Sequence, residues 1–189
     1  MYKVLCSIMA VVIKILFRVE IKGLEEIPEG PLIVCSNHNS GWDPFFVATH
    51  FKRPIRFMGK RELFDHPLLR PLLNGAGVIS VDRDATDIKS IKKSLGVLKN
   101  DEVLGIFPEG TRVKNVDLGN MKEGIGLLAS RSKAPILVLY IESKYKLFSK
   151  VVIHGKGIVD PREYEGNKKE QYYKITKAVY DKIYQMEEK

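Results

Sequence analysis

The sequence lacks the features of a disulfide-stapled, disordered or multi-span membrane protein. Its two cysteines, Cys6 and Cys35, are too few for a disulfide scaffold and favour a reducing compartment, although one bridge between them remains an alternative. The N-terminal apolar run, Val4–Ile13, has ten residues, whereas a spanning helix needs about 20. With 189 residues, 44% of them apolar and 29% charged, the chain fits one globular domain.

The chain carries an excess of positive charge, with a net charge of +8. Residues 160–189 contain seven basic and seven acidic side chains, so the whole excess lies in residues 1–159. A basic body suits nucleic acid, an anionic membrane or phosphorylated small molecules. Because no recognition-helix, aromatic-platform or zinc-finger pattern accompanies the charge, we expect no nucleic-acid partner.

The N-terminal segment mixes apolar and basic residues, with Lys3, Lys14, Arg18 and Lys22 beside Val, Ile, Leu and Phe. This mixture is typical of a helix that lies in the headgroup layer of a membrane with its apolar side down. We therefore predict a membrane-interface amphipathic segment over residues 1–22, followed by a folded domain over residues 23–189. The alternative is an ordinary core helix, and the two interpretations can coexist.

Apolar runs alternate with helical patterns along the rest of the chain, which predicts a single α/β domain with a mixed, mostly parallel sheet flanked by helices. The amphipathic N-terminal helix precedes this domain. Two prolines, Pro67 and Pro71, divide the helical pattern of residues 62–73 into two short pieces. Strands are predicted at residues 32–36, 55–58, 77–81, 103–107, 136–141 and 151–153, and longer helices at 43–51, 88–98, 124–132 and 168–187.

A polar motif, residues 37–43, follows the first buried strand and contains His38 and Asp43 on either side of Gly41. A tight turn at Gly41 could let the carboxylate hydrogen-bond one imidazole nitrogen and leave the other as a general base. Two alternatives remain: Asp43 as a helix N-cap beside a polar His38, or a cation site completed by a distant Glu.

A second polar motif, residues 107–112, follows another predicted strand. Gly110 allows close backbone approach, and Arg112 offers a planar fork for a phosphate. Lys60 and Arg83 also lie near predicted strand ends, so these three cations could form one phosphate-binding patch. The alternative is a solvated turn with a local Glu109–Arg112 pair.

Taken together, the motifs resemble the lysophosphatidic acid acyltransferase family, within the glycerolipid acyltransferases. The first family block, Asn-His followed by four residues and Asp, is matched by Asn37, His38 and Asp43. The block Phe-Pro-Glu-Gly-Thr-Arg is matched in full at residues 107–112. The remaining matches are Lys60, Glu62, Leu63 and Phe64, then Asp82 and Arg83, and the Pro-containing apolar run of residues 134–138.

The resemblance implies that residues 23–189 form an acyltransferase domain. It would move a fatty acyl group from acyl-CoA or acyl carrier protein to the free hydroxyl of lysophosphatidic acid, giving phosphatidic acid for phospholipid biosynthesis. His38 would be the general base, oriented by Asp43. The acceptor would be bound by Lys60, Arg83, Glu109, Gly110, Thr111 and Arg112.

The resemblance also implies that no metal or organic cofactor is needed, and that the protein works at anionic lipid on the cytoplasmic face of the cell membrane. Three alternatives remain. The acceptor could be glycerol phosphate or a lyso-aminolipid. The acyl group could pass through Cys35, Ser36 or Ser40. The protein could also be a non-enzymatic, basic peripheral membrane protein.

Overall fold

The computed structural model of the chain describes residues 1–24, 27–82, 87–112 and 122–184. Within these ranges, the strands are β1 (Arg18–Lys22), β2 (Leu32–Ser36), β3 (Ile55–Lys60), β4 (Ile79–Val81), β5 (Val103–Ile106), β6 (Ile136–Ser143) and β7 (Lys150–Val159). These seven strands form one sheet in the order β1-β7-β6-β2-β5-β3-β4. Neighbouring strands of this sheet are parallel except for the antiparallel pair β6 and β7. The mixed, mostly parallel sheet that the sequence predicts is therefore confirmed.

Helices cover both faces of the sheet, so its central strands are buried on both sides. Along β2, Ile33 and Cys35 face one apolar layer, whereas Leu32 and Val34 face the other. The helices are α1 (Tyr2–Leu16), α2 (Asp43–His50), α3 (Leu69–Ala76), α4 (Ile88–Lys99), α5 (Gly124–Ser132) and α6 (Lys168–Tyr184), with short 3₁₀ turns at Arg61–Phe64 and Pro161–Glu163. Helices α4, α5 and α6 close the layer of Ile33 and Cys35, and α1 and α2 close the layer of Leu32 and Val34.

Most elements lie where the sequence pattern places them, and β2 and α5 have the predicted bounds. The pattern over residues 62–73 does form two pieces, and Pro67 lies between them. Pro71 instead lies in the first turn of α3, where the missing N–H has no helical partner to lose. The helix predicted over residues 168–187 is α6 as far as Tyr184, and its last three residues lie outside the described ranges.

The first 22 residues contain both a helix and a strand. Helix α1 ends at Leu16, and β1 then pairs in parallel with β7, so the last five residues of this segment belong to the sheet. The sequence did not reveal β1, because Arg18, Glu20 and Lys22 are charged and the strand lies at the sheet edge. No helix among the described residues combines the length and the apolar character needed to cross a membrane.

Candidate active site

The two polar motifs meet at the carboxyl end of the sheet's strands, because β2 and β5 are adjacent parallel strands. Cys35 and Ile106 are register partners, so the chain leaves both strands side by side. The imidazole of His38 stacks on the ring of Phe107, with 4.1 Å between ring centroids and 21° between planes. The first motif is thus seated directly against the start of the second.

His38 and Asp43 form a hydrogen-bonded pair, with 3.0 Å between Nδ1 and Oδ2. The Asp43 side chain is fully buried, whereas that of His38 keeps 12% of its surface exposed. Because a carboxylate only accepts hydrogen bonds, Nδ1 carries the hydrogen and the lone pair of the neutral ring lies on Nε2. This is the arrangement in which an imidazole can accept a proton from a bound hydroxyl.

Asp43 is held by the turn that precedes it. The backbone N–H groups of Asn39 and Ser40 donate to Oδ2 at 2.8 and 2.7 Å, so this oxygen accepts three hydrogen bonds. Asp43 is the first residue of α2, and the N-cap is Trp42, which makes no side-chain capping bond. The N-cap alternative for Asp43 is therefore wrong, since its carboxylate closes the turn and orients His38.

Asn37 fastens the same turn to β6. Its amide Nδ2 donates to the carbonyl of Ile141 at 3.0 Å, and the Ile141 N–H donates to Oδ1 at 2.7 Å. The side chain is buried, so both bonds are shielded from water. This two-bond clamp fixes the start of the His38 motif relative to the neighbouring strand.

The second motif turns sharply after Phe107. Gly110 has φ +68°, and its N–H donates to the carbonyl of Phe107 at 2.9 Å. Thr111 and Arg112 are exposed beyond this turn. A Cβ atom built on Gly41 would lie 4.0 Å from Nη2 of Arg112, so the guanidinium reaches over the first motif.

The side chain of Glu109 points into the protein, unlike in the solvated Glu109–Arg112 turn that the sequence leaves as an alternative. The residue is only 3% exposed, and the hydroxyl of Tyr184 in α6 donates to its Oε1. Burial raises the pKa of the Glu109 carboxyl above its ordinary value, and the bond from Tyr184 partly opposes this rise. Its role in acceptor binding stays a prediction.

Of the other two cations predicted for the phosphate patch, the structure describes Lys60. It is the last residue of β3, at the same carboxyl end of the strands as the two motifs, and its Nζ lies 2.8 Å from Oε1 of Glu62. Arg83 lies outside the described residues. Within the described residues, the guanidinium of Arg112 lies against the His38 motif.

A largely apolar cavity of about 350 Å³ adjoins the second motif. Phe107 lines this cavity and also stacks on His38, so one ring connects the cavity to the imidazole. Apolar side chains from β3, α4, β5 and α5 form much of the wall, and Gly110 and Lys122 also line it. In the described part of the chain, no group of three or more His, Cys, Asp or Glu residues could hold a metal ion.

Comparison with known proteins gives the family. The family model described as Acyltransferase matches residues 18–142, more than half of the chain. The chain belongs to the acyltransferase family. The matched range includes both polar motifs and the Asn37 clamp to β6.

Individual relatives in this family carry more specific names. A Pseudomonas aeruginosa protein named 1-acyl-sn-glycerol-3-phosphate acyltransferase is 34% identical over 123 residues, covering 64% of this chain and 48% of its own length. A Bacillus subtilis protein of the same name is 28% identical and aligns over 100% of this chain and 98% of itself. The chain thus spans about half of the first relative and nearly all of the second.

A solved structure has the same fold. The crystal structure of the 1-acyl-sn-glycerophosphate acyltransferase of Thermotoga maritima superposes with a TM-score of 0.74, covering 96% of this chain and 79% of that one. The two sequences are 22% identical, so this likeness concerns the fold alone.

Three residues of the site were not identified by sequence reasoning in the roles they have here. The sequence predicts Phe107 as the end of a strand, whereas its ring stacks on the imidazole. Lys122 packs its side chain over Gly110, and Tyr184 reaches Glu109 from α6. No local pattern marks Lys122 or Tyr184, because each meets the motif only through the tertiary fold.

The buried carboxyl of Glu109 predicts a pH-dependent effect of Glu109→Gln. As pH rises above the ordinary pKa of 4.5, the Glu109 carboxyl of the unfolded chain ionises, whereas that of the folded protein stays protonated. The free energy of unfolding of the wild-type protein therefore falls until the pH passes the pKa of the folded state. Gln does not ionise. We expect the Tm of Glu109→Gln, relative to wild type, to rise between about pH 4 and pH 7. The rise should be about 2–4 °C for each kcal/mol of unfolding free energy that the wild-type protein loses.

Thermal unfolding at several pH values measures this difference, with the exposed Glu165→Gln as the matched control. The control should show no such trend. A Tm difference for Glu109→Gln that is flat or shrinks with rising pH contradicts the assignment.

Proposed function

We propose that this protein transfers a fatty acyl group from acyl-CoA or acyl carrier protein to the free hydroxyl of lysophosphatidic acid, giving phosphatidic acid. The observation that carries the proposal is the His38–Asp43 pair, whose 3.0 Å bond leaves Nε2 as the available base. The names of the Pseudomonas aeruginosa and Bacillus subtilis relatives support the choice of acceptor.

In the proposed reaction, Nε2 of His38 takes the proton of the acceptor hydroxyl as its oxygen attacks the thioester carbonyl. The tetrahedral intermediate collapses with cleavage of the C–S bond, and the imidazolium returns the proton to the leaving thiolate. Asp43 holds the ring in the Nδ1–H tautomer and stabilises the transient imidazolium. The reaction needs no metal or organic cofactor, because the imidazole supplies the base and the thioester supplies the leaving group.

The acceptor phosphate is proposed to bind beside Arg112, whose guanidinium reaches over the first motif. Lys60 and Arg83 would add positive charge, and Gly110 and Thr111 would shape the site. Lys122 lies over Gly110, and we add it to this group. The acyl chain would occupy the apolar cavity that Phe107 shares with the imidazole.

Direct attack is favoured over a covalent acyl-enzyme. Burial, together with the charge of Glu109, raises the pKa of the Cys35 thiol, which makes it a poor nucleophile. The hydroxyl of Ser36 is buried and donates to the carbonyl of Asn37 at 3.0 Å. Ser40 accepts from the N–H of Trp42 at 3.3 Å, which is a turn-closing bond.

The proposal predicts that His38→Ala loses roughly 10²–10⁴-fold in turnover, the usual contribution of a general base. Release of free thiol from an acyl thioester, with lysophosphatidic acid as acceptor, measures the rate. The exposed His66→Ala is the matched control and should keep wild-type activity. Turnover by His38→Ala near the wild-type rate refutes the assigned base.

The same assay, run with a panel of acceptors, separates the alternatives. Arg112→Ala should raise the KM for lysophosphatidic acid. If a phosphate-free lyso-lipid is the better substrate and Arg112→Ala does not affect it, the acceptor assignment is wrong. If no acceptor supports thiol release by the wild-type protein, a non-enzymatic role replaces the enzymatic one.

We further propose that the protein binds anionic lipid at the cytoplasmic face of the cell membrane, because the proposed acceptor would itself lie in a lipid bilayer. Helix α1 exposes an apolar row at i, i+4, i+7 and i+11: Val4, Ile8, Val11 and Ile15, each 57–63% exposed. Such a row with Lys3 and Lys14 on the same helix suits the headgroup layer.

Two neighbouring segments extend the apolar surface of α1. Helix α3 contacts α1, and Leu68 and Leu72 at this helix are 72% and 45% exposed. Beside the end of α1, the β6–β7 loop exposes Leu147 and Phe148, and the Phe148 N–H donates to the carbonyl of Leu16 at 2.6 Å. Basic residues flank this surface and complement anionic lipid: Lys14, Arg18, Lys144, Lys146 and Lys150.

The double variant Ile8→Ser/Val11→Ser tests the membrane proposal. Loss of two apolar contacts should weaken binding to phosphatidylglycerol vesicles roughly 100-fold, about tenfold for each side chain. Co-sedimentation measures the binding. Ile88→Ser, which removes an apolar side chain that is 61% exposed at the start of α4, is the matched control. Vesicle binding by the double variant equal to that of the control contradicts the assigned surface.

A further inference from the structure

The Asp43 carboxylate uses its two oxygens unequally. Oδ2 accepts three hydrogen bonds, whereas Oδ1 is buried and has no hydrogen-bond partner among the described residues. Buried carboxylate oxygens rarely remain unpaired, because each gives up its bonds to water on folding. The second oxygen of Asp43 therefore requires a donor that the turn itself does not supply.

Tyr145, in the β6–β7 loop, carries a hydrogen-bond donor that is buried like Oδ1 of Asp43. Its hydroxyl is buried and has no hydrogen-bond partner in the described part of the chain. Its ring packs against the apolar layer to which Trp42 and Phe107 also belong. Burial raises the pKa of Tyr145 first, and the nearby carboxylate of Asp43 raises it further, whereas the side chain of Asn39, also close to this hydroxyl, lowers it.

The loop holds Tyr145 in place by several contacts. The residue has φ +52°, a left-handed conformation that is unfavourable for a side chain of this size, and its N–H donates to Oγ of Ser143 at 3.0 Å. The Asn37 clamp at Ile141 brings the end of β6 beside the His38 motif. The fold thus keeps an unfavourable backbone conformation at Tyr145, just after the end of β6 that the Asn37 clamp holds against the His38 motif.

We infer that Tyr145 is a positioning residue: its hydroxyl donates to Oδ1 of Asp43 and fixes the carboxylate that orients His38. One buried donor and one buried acceptor are thereby satisfied by each other. The inference rests on the proposed role of His38 as the base. The hydroxyl acts only through Asp43, so it should affect the rate of proton transfer and leave acceptor binding unchanged.

The test is Tyr145→Phe, which keeps the ring and removes the hydroxyl. We expect kcat to fall about tenfold, the scale of one hydrogen bond to a charged group, with the KM for the acceptor unchanged. The acid limb of the pH–rate profile should move to higher pH, because a carboxylate with one donor fewer attracts the imidazolium more strongly. The other charged group that faces Asp43 is Glu109, which the variant leaves in place.

Ser149→Ala is the matched control, since Ser149 is in the same loop and also has a buried hydroxyl without a partner among the described residues. It should keep the wild-type kcat and pH profile. A Tyr145→Phe variant with wild-type kcat and pH profile, or one altered only in KM, overturns the inference. If His38→Ala also remains active, the proposed function fails as well, whereas an inactive His38→Ala confines the failure to Tyr145.

Discussion

The site depends on one buried carboxylate. Asp43 brings together two backbone N–H groups of its own turn and Nδ1 of His38 on a single oxygen, at distances of 2.7–3.0 Å. This one oxygen therefore both closes the turn and orients the imidazole. The fold must keep this buried group hydrogen-bonded, because an ionised carboxylate without partners is strongly destabilising in a protein interior.

The parallel sheet supplies the surroundings of that carboxylate. Register pairing of β2 with β5 delivers Phe107 beneath the imidazole, and pairing of β2 with β6 allows Asn37 to clamp the turn at Ile141. The apolar cavity, the Gly110 turn and Arg112 lie at the same carboxyl end of the strands. The proposed transfer of an acyl chain to a phosphorylated lipid would use all three kinds of group: a base, a cation and an apolar cavity.

Much of the fold could be predicted from the sequence, because buried strands such as β2 read as continuous apolar runs and α5 has a clear helical pattern. The charged edge strand β1 has no such pattern and was missed. Spacing alone placed His38 near Asp43, but could not decide between a pair and an N-cap. The contact of Tyr184 with Glu109 joins residues 75 positions apart, and the inferred partners Tyr145 and Asp43 are about 100 positions apart, so no local motif encodes either.

The central claim is that Asp43 holds His38 with hydrogen on Nδ1 and the lone pair on Nε2. Nitrogen-15 NMR of the imidazole in the intact protein tests it most directly. We predict that the neutral ring is the Nδ1–H tautomer, and that Asp43→Asn disturbs this preference while His66 keeps its spectrum. A neutral His38 that carries its proton on Nε2 in the wild-type protein contradicts the account.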